Sequence, residues 1–274
     1  MNLLARLRRS EWLIIAYFSY VAAAAAFFFP PWKELALAGI IGALVIALAQ
    51  TKSITRDFAP LVFTLAAYRE MNWFTPAARD HHLENIWILW DRRLLDGAHL
   101  RAIVESLGPL VPTYFELCYF LVYTAGFAAI GLLFYFRRRD RVDDFLMVYL
   151  AGTLGAYALF PYFPSEPPRT LFPGADLPHI VTLVRRLNLA IVGNYGIHSS
   201  VFPSAHVSST LSAAWGLHVT LPDRPWLGRA VAFYAISVAI ATIYGRYHYA
   251  VDAAAGIGIA VCAAVVSRTL STPR

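Results

Sequence analysis

Charged residues are scarce in this sequence, and cysteine is almost absent. Of the 274 residues, 15% are charged and 58% are hydrophobic, and the mean hydropathy is +0.54. A soluble domain of this size needs more charge to solvate its exterior, so the composition favours a membrane protein. The two cysteines, Cys118 and Cys262, lie inside apolar runs, which argues against a disulfide framework or a cysteine metal site.

Long apolar runs are what the sequence does contain. Crossing the hydrocarbon of a bilayer takes about 20 apolar residues in a helix. The first run, Trp12–Phe29, ends in Phe-Phe-Phe-Pro-Pro, which is not a small-residue cleavage site, so we expect a retained span. The sequence predicts an all-α, polytopic transmembrane bundle of about eight spans, with six spans plus re-entrant pieces as the alternative. The predicted spans are 12–29, 34–50, 57–73, 112–136, 143–163, 205–221, 227–246 and 249–268.

The basic residues fall in short clusters between the apolar runs. If every predicted span crosses, all these clusters lie on one side, as the positive-inside rule requires of the cytoplasmic side. This clustering also excludes a nucleic-acid surface, which would need basic residues along one amphipathic face. The polar motifs described below then collect at the non-cytoplasmic side. The clusters are Arg6/Arg8/Arg9, Lys52/Arg56, Arg137/Arg138/Arg139/Arg141, Arg224/Arg229 and Arg268/Arg274.

The segment 75–111 mixes acids and bases with apolar residues at helical spacing, among them Leu83, Trp87, Trp90 and Leu94. Apolar residues at those spacings describe one face of a helix. Tryptophans suit a helix that lies at the membrane surface. A solvated helix that packs on the bundle is the equal alternative.

A histidine and an aspartate four residues apart begin the last apolar run. The spacing stacks the side chains of His248 and Asp252 on one helix face. The carboxylate can then fix the imidazole tautomer and leave the other ring nitrogen as a base or nucleophile. The alternative is a structural helix-surface contact or a buried, satisfied pair.

A second histidine, His206, begins another apolar run directly after Pro203 and Ser204. Ser204 is in position to cap this helix. Free N–H groups and the positive end of the helix dipole would favour a bound phosphate there, and His206 could protonate a leaving oxygen. On its own, a histidine in a first turn is more often an interface residue.

Two arginines stand beside these motifs. Arginine pairs with phosphate in a forked geometry and stays charged when partly desolvated, so Arg169 and Arg246 are the expected phosphate holders. A lipid-headgroup contact is the alternative for Arg169. The tyrosines around His248 are expected to be membrane-interface aromatics rather than catalysts; they are Tyr244, Tyr247 and Tyr249.

The remaining histidines form no compelling ligand set, so we expect neither metal nor cofactor. The minor alternative is a metal held by His206, His248 and Asp252 together with a water.

The motifs resemble those of the type 2 phosphatidic acid phosphatase (PAP2) superfamily. Its second signature, Pro-Ser-x-His, is present at 203–206, and its third ends in His, three residues, Asp, as at 248–252. The resemblance covers roughly Phe145 to Ser267. It implies a six-helix catalytic core, so we divide the chain into an N-terminal transmembrane hairpin at 1–56 and a catalytic domain at 57–274 that includes the interfacial segment 75–111.

The resemblance implies a metal-independent enzyme in which His248 attacks phosphorus and forms a phosphohistidine, Asp252 orients it, and His206 protonates the departing oxygen. Arg169, Arg246 and Ser204 would bind the phosphate. The usual first signature, Lys, six residues, Arg-Pro, is incomplete: Tyr162 and Thr170 stand in the Lys and Pro positions.

Thr242 stands where the third signature carries an arginine. These departures resemble the branch that includes inositol phosphorylceramide synthases. The implied substrate is a membrane lipid phosphate, diphosphate or phospho-headgroup, with an alcohol such as inositol as acceptor if the enzyme is a transferase. Alanine- and arginine-rich usage suits a bacterial inner membrane. A non-catalytic lipid-phosphate transporter or binding protein is the rival hypothesis, because it would need the arginines but not His248 as nucleophile.

Overall fold

The computed structural model describes residues 3–174 and 176–270, so that Arg274, part of one predicted basic cluster, lies outside the described residues. Every regular element among the described residues is helical, which confirms the all-α prediction. The α-helices are α1 Arg9–Ala25, α2 Trp32–Ala49, α3 Ile54–Glu70, α4 His82–Arg92, α5 Leu100–Ser106, α6 Leu110–Leu121, α7 Ala125–Tyr135, α8 Val142–Tyr157, α9 Pro168–Leu171, α10 Leu183–Tyr195, α11 Ala205–Thr220, α12 Pro225–Tyr244 and α13 Ala250–Leu270.

Five helical stretches are long and apolar enough to cross a membrane. They are Trp32–Ala49, Leu110–Tyr135, Arg139–Tyr162, Pro225–Tyr244 and Ala250–Arg268. Leu110–Tyr135 joins α6 and α7 through a short 3₁₀ turn at Val122–Thr124. These stretches match five of the eight predicted spans and make the chain an integral membrane protein.

The other three predicted spans are also helical, as α1, α3 and α11, with 17, 17 and 16 residues. These lengths lie at the lower limit for a span, which is about 17 residues. α11 is short of apolar residues because it lies at the centre of the bundle, packed on α8, α12 and α13. Buried Ser208, Ser212 and Thr210 therefore face protein rather than lipid.

Glycines let the central helices approach closely. A Cβ on Gly152 of α8 would lie 2.0 Å from Oγ of Ser212 in α11, and one on Gly256 of α13 would lie 2.6 Å from the backbone oxygen of Ser204. Small residues permit such close helix contacts in membrane proteins. The ends of α11 and α13 that carry the histidine motifs are thus fixed side by side.

The basic clusters meet at one end of the bundle. Arg8 and Arg139 both bind the buried carboxylate of Asp57, at 2.8 and 2.6 Å, and Arg56 binds Glu11 at 2.6 Å. Gly216, near the end of α11, lies against Phe145, near the start of α8, so these two helices are antiparallel. The N-terminal ends of α11 and α13, joined by the Ser204–Asp252 backbone hydrogen bond, therefore lie with the C-terminal end of α8 at the opposite end. The histidine motifs belong to that second end.

The amphipathic helix predicted within 75–111 is present as α4, and one of its faces packs on the bundle. Trp87 and Ile88 are buried against the bundle, whereas Trp90 and Leu94 are 55% and 42% exposed. The inner face carries two buried carboxylates, Glu84 and Asp91, which reach the loops of the candidate site.

Candidate active site

A small cavity at the second end of the bundle brings three of the predicted residues together. It has a volume of about 60 Å³, and His206, His248 and Arg169 all line it. The sequence separates these residues by up to 79 positions, so only the packing of α9, α11 and α13 places them on one cavity. Five tyrosines also line it: Tyr68, Tyr119, Tyr123, Tyr157 and Tyr247.

His248 is held by Asp252 as the four-residue spacing predicts. Nδ1 of His248 lies 3.2 Å from Oδ2 of Asp252, and the backbone N–H of Tyr249 donates to the same oxygen at 2.9 Å. Burial lowers the pKa of His248 to about 3, the charge of Arg169 acts in the same direction, and a hydrogen bond with the Val201 backbone opposes it. The imidazole is therefore neutral near pH 7, as a nitrogen nucleophile must be.

His206 stands in the first turn of α11 and faces His248. The two ring centroids are 5.5 Å apart with an interplanar angle of 65°. Nε2 of His206 is buried and has no hydrogen-bond partner in the described part of the chain. One ring nitrogen of His206 is thus available to a group that enters the cavity.

Ser204 caps α11, as predicted: its Oγ accepts from the N–H of Val207 at 3.5 Å. Its own N–H donates to the backbone oxygen of Asp252 at 2.9 Å, which ties the two histidine motifs together. The Ser204 side chain is fully buried and is not among the residues that line the cavity. Its geometry is that of a cap and tether rather than a contact to a ligand.

Arg169 reaches the cavity from the short helix α9. Its backbone N–H donates to the carbonyl of Arg246 at 3.1 Å, and its Nη1 donates to the carbonyl of Tyr247 at 3.3 Å. The guanidinium carbon lies 5.5 Å from the centroid of the Tyr247 ring. A partly exposed cation therefore faces both histidines.

Arg246, expected to hold phosphate, is not brought to this cavity. It is 1% exposed, and its Nη1 binds Oδ2 of Asp91 at 2.6 Å. Oδ1 of the same aspartate accepts from the N–H of Ala250, the first residue of α13, at 2.9 Å. Asp91 thus neutralises Arg246 and caps the helix that carries Asp252. The sequence does not reveal the pairing of Asp91 with Arg246, because the two residues lie 155 positions apart. The place of Asp91 on the inner face of an amphipathic helix was the available signal.

The prediction that the tyrosines around His248 are membrane-interface aromatics is wrong. Tyr244, Tyr247 and Tyr249 are 3%, 1% and 0% exposed, because the chain folds back on α4, α6 and α10 at this point. Tyr247 stacks on Tyr119 with centroids 3.8 Å apart and donates its hydroxyl to Glu116 at 2.6 Å. Glu116 is a second buried acid that the sequence did not point to.

Three further cavities lined by described residues adjoin the central one. A cavity of about 80 Å³ shares His206, Tyr68 and Tyr123 with it and extends between α3, α7 and α8. A predominantly apolar cavity of about 340 Å³ shares the same two tyrosines and extends towards α10. On the other side, a cavity of about 210 Å³ shares Arg169 and contains Arg79, Glu166, Thr170 and His198. The catalytic candidates thus stand between an apolar and a polar compartment.

Among the described residues, no group of three or more His, Cys, Asp and Glu side chains is arranged to hold a metal ion. The structure therefore gives no support to the metal alternative for His206, His248 and Asp252.

Comparison with known proteins agrees with the motifs. A model of the PAP2 superfamily matches residues 90–266, about two thirds of the chain, and this range contains α11, the His248 loop and most of α13. No curated protein and no solved structure gives a significant match. Since the family model spans well over half of the sequence, the chain belongs to the PAP2 superfamily, whose members are generally phosphatases.

Proposed function

We propose that the protein cleaves a phosphoester or diphosphate bond of a membrane lipid through a phosphohistidine at His248. The observation that carries this proposal is the convergence of His206, His248 and Arg169 on one cavity, with Asp252 behind His248. These groups supply a nucleophile, an acid and a cation, which is what phosphoryl transfer needs in the absence of a metal.

The orientation of His248 supports an attack through Nε2 as the first step. Nδ1 of His248 is turned to Asp252, so Nε2 is the nitrogen that attacks phosphorus. The N–P bond forms as the P–O bond to the leaving alcohol breaks, and protonated His206 gives its proton to the departing oxygen. A bound phosphate favours the protonated form of His206, because an adjacent negative charge stabilises an imidazolium.

The second step regenerates the enzyme. Water or an alcohol attacks phosphorus while His206 takes its proton, and the N–P bond breaks to restore neutral His248. Arg169 stabilises the charge on the phosphoryl oxygens in both steps. Asp252 stabilises the positive charge that His248 acquires while it is bonded to phosphorus.

The adjoining cavities favour an amphiphilic substrate. The compartments that share Tyr68 and Tyr123 with the site contain Leu65, Phe127 and Ile191, which would accommodate a hydrocarbon chain. The compartment beyond Arg169 contains Arg79, Glu166 and Thr170, which offer donors and acceptors to a polar group. A lipid phosphate has its hydrocarbon part on one side of phosphorus and its polar part on the other, which matches this arrangement of compartments.

The size of the same polar compartment is relevant to whether water or an alcohol accepts the phosphoryl group. Its volume of about 210 Å³ leaves room for a small polyhydroxylated alcohol beside Arg169. Together with the motif departures at Tyr162, Thr170 and Thr242, this supports an activity like that of the inositol phosphorylceramide synthase branch, with inositol as a candidate acceptor. Phosphatase activity is the broader proposal.

We place the active site at the non-cytoplasmic face of a bacterial inner membrane. The basic residues that meet at the far end of the bundle, such as Arg8, Arg56 and Arg139, support this orientation through the positive-inside rule.

The test is turnover by purified protein in detergent, in the presence of chelator, on a panel of lipid phosphates and diphosphates with and without inositol. We expect phosphate release or headgroup transfer that is lost in His248→Ala and His206→Ala. His218→Ala is the matched control, because His218 is an exposed residue on the opposite end of α11. Quenched turnover should trap an acid-labile phosphoryl group on the wild-type chain.

The products separate hydrolase from transferase. Turnover that persists in His248→Ala would contradict the proposal, and so would the absence of turnover on every substrate. Either result would favour the lipid-phosphate transporter or binding protein. Such a protein would need Arg169 for binding but would keep lipid movement in His248→Ala.

A further inference from the structure

We infer that Glu116 is a positioning residue that acts through Tyr247 to hold the guanidinium of Arg169 at the catalytic cavity. This inference rests on the proposed function, in which Arg169 binds the phosphoryl group. The three residues belong to different parts of the fold: Glu116 to α6, Tyr247 to the loop before α13, and Arg169 to α9.

Glu116 is the centre of a buried hydrogen-bond network. Its carboxylate accepts from Nη1 of Arg185 at 2.7 Å, from Nδ2 of Asn188 at 2.8 Å and from the hydroxyl of Tyr247 at 2.6 Å. Glu116, Arg185, Asn188 and Tyr247 are all 3% exposed or less. The charge of Glu116 is thus paired and both of its oxygens are satisfied, so the position of this carboxylate is well defined.

Arg169 needs support from outside its own helix, because α9 has only four residues. Among the described residues, its one side-chain hydrogen bond goes to the carbonyl of Tyr247, at 3.3 Å. Its guanidinium also lies within cation–π range of the Tyr247 ring, at 5.5 Å. Tyr247 therefore provides both the hydrogen bond and the ring contact that orient the guanidinium of Arg169.

Tyr247 is itself held at its two ends. Its ring stacks on Tyr119, whose centroid is 5.0 Å from that of His206, and its hydroxyl is tied to Glu116. Burial raises the pKa of Tyr247, and the charge of Glu116 adds to this effect. The hydroxyl therefore stays protonated and keeps donating to Glu116. Arg185 fixes the same loop through its bond to the carbonyl of Gly245, at 3.1 Å.

The hydroxyl of Tyr247 can be removed without removing the ring. We expect Tyr247→Phe to keep the stacking on Tyr119 but to free the ring from Glu116, so that the cation no longer has a fixed position. A displacement of a binding group by about 1 Å lowers kcat/KM roughly 10- to 100-fold. Glu116→Gln serves as the second variant, because it removes the charge while retaining an oxygen acceptor.

The matched control is Tyr114→Phe. Tyr114 is on α6 as well, and its hydroxyl bonds to Oγ of Ser237 in α12 at 2.7 Å. Its side chain is 41% exposed, so the variant removes one interhelical hydroxyl contact of the same helix without touching Arg169. We expect its kcat and KM to be those of the wild type.

The experiment measures kcat and KM on the best lipid phosphate, the affinity of orthovanadate or inorganic phosphate by calorimetry, and the thermal midpoint. We expect Tyr247→Phe and Glu116→Gln to weaken anion binding and kcat/KM by similar factors. In an Arg169→Ala background, neither should cause a further loss, because the group they position is gone.

Two results would overturn the inference. One is full additivity with Arg169→Ala; the other is unchanged anion affinity in a Tyr247→Phe variant that is folded. The calorimetric arm separates the two proposals: a protein that binds phosphate through Arg169 and Tyr247 but never turns over contradicts the proposed function alone. A wild-type chain that binds no phosphate overturns both.

Discussion

The buried pair of Arg246 and Asp91 allows a decisive test of what Arg246 does. Both side chains are 1% exposed and their closest atoms are 2.6 Å apart. Asp91→Ala leaves a guanidinium buried without its counter-charge, which costs about 3–5 kcal/mol. It also removes the acceptor for the N–H of Ala250, which costs about 1 kcal/mol more. For a chain of this size, we expect the thermal midpoint to fall by roughly 10 °C or more.

Arg246→Met should cost less than Asp91→Ala. Burial already raises the pKa of Asp91; the charge of Arg246 opposes this shift most strongly, and the hydrogen bond from the Ala250 backbone adds to the opposition. Without Arg246, the carboxyl of Asp91 can take up a proton and become neutral. The guanidinium that Asp91→Ala leaves unpaired cannot lose its charge. The destabilisation by Arg246→Met should therefore shrink as the pH is lowered.

The double variant Asp91→Leu/Arg246→Met tests the function of the pair. Replacing both partners by apolar groups of similar volume is often close to neutral, so we expect most of the stability and turnover to return. The control is Arg92→Met: Arg92 binds Asp176 at 2.6 Å, but its side chain is 47% exposed, so its loss costs at most about 1 kcal/mol. A double variant that is stable but inactive would refute the reasoning and make Arg246 a phosphate ligand.

Three further predictions concern the site itself. Gly256→Ala should destabilise the chain by about 1–3 kcal/mol and lower turnover, since the added Cβ would meet the Ser204 backbone. Gly258→Ala is its control, because a Cβ there would meet no described atom within 4 Å, so the variant should be neutral or stabilising. Thermal melting and the activity assay measure both. Because the pKa of His248 is about 3 when folded and about 6.5 when unfolded, the unfolded chain binds the proton first. Stability should therefore fall as the pH drops below 6.5, by about 2 kcal/mol between pH 7 and 5, and His248→Gln should abolish that part of the slope. Asp252→Asn should keep the fold but lower kcat by roughly 10³-fold, since it removes the charge that stabilises cationic His248; a loss of less than tenfold would contradict that role.

Periodicity and local spacing determined much of this molecule without any tertiary information. Helices appear wherever the apolar runs predict them, because a helix is the structure that satisfies its own backbone in hydrocarbon. The pairing of His248 with Asp252 and the cap formed by Ser204 are contacts within one turn of helix, so a spacing of three or four residues is enough to specify them.

Only the tertiary structure decided which arginine reaches the cavity and which acids surround it. Arg169 and Arg246 are the same residue type at the same end of the bundle, yet one lines the cavity and the other is buried against Asp91. Asp91 and Glu116 lie more than 130 positions from Arg246 and Tyr247, the residues that they bind. A pairing across that separation depends on how α4 and α6 pack, and no local pattern encodes it. The sequence alone thus specified the local contacts of the histidine motifs, and the packing of the helices determined how the surrounding charges are held.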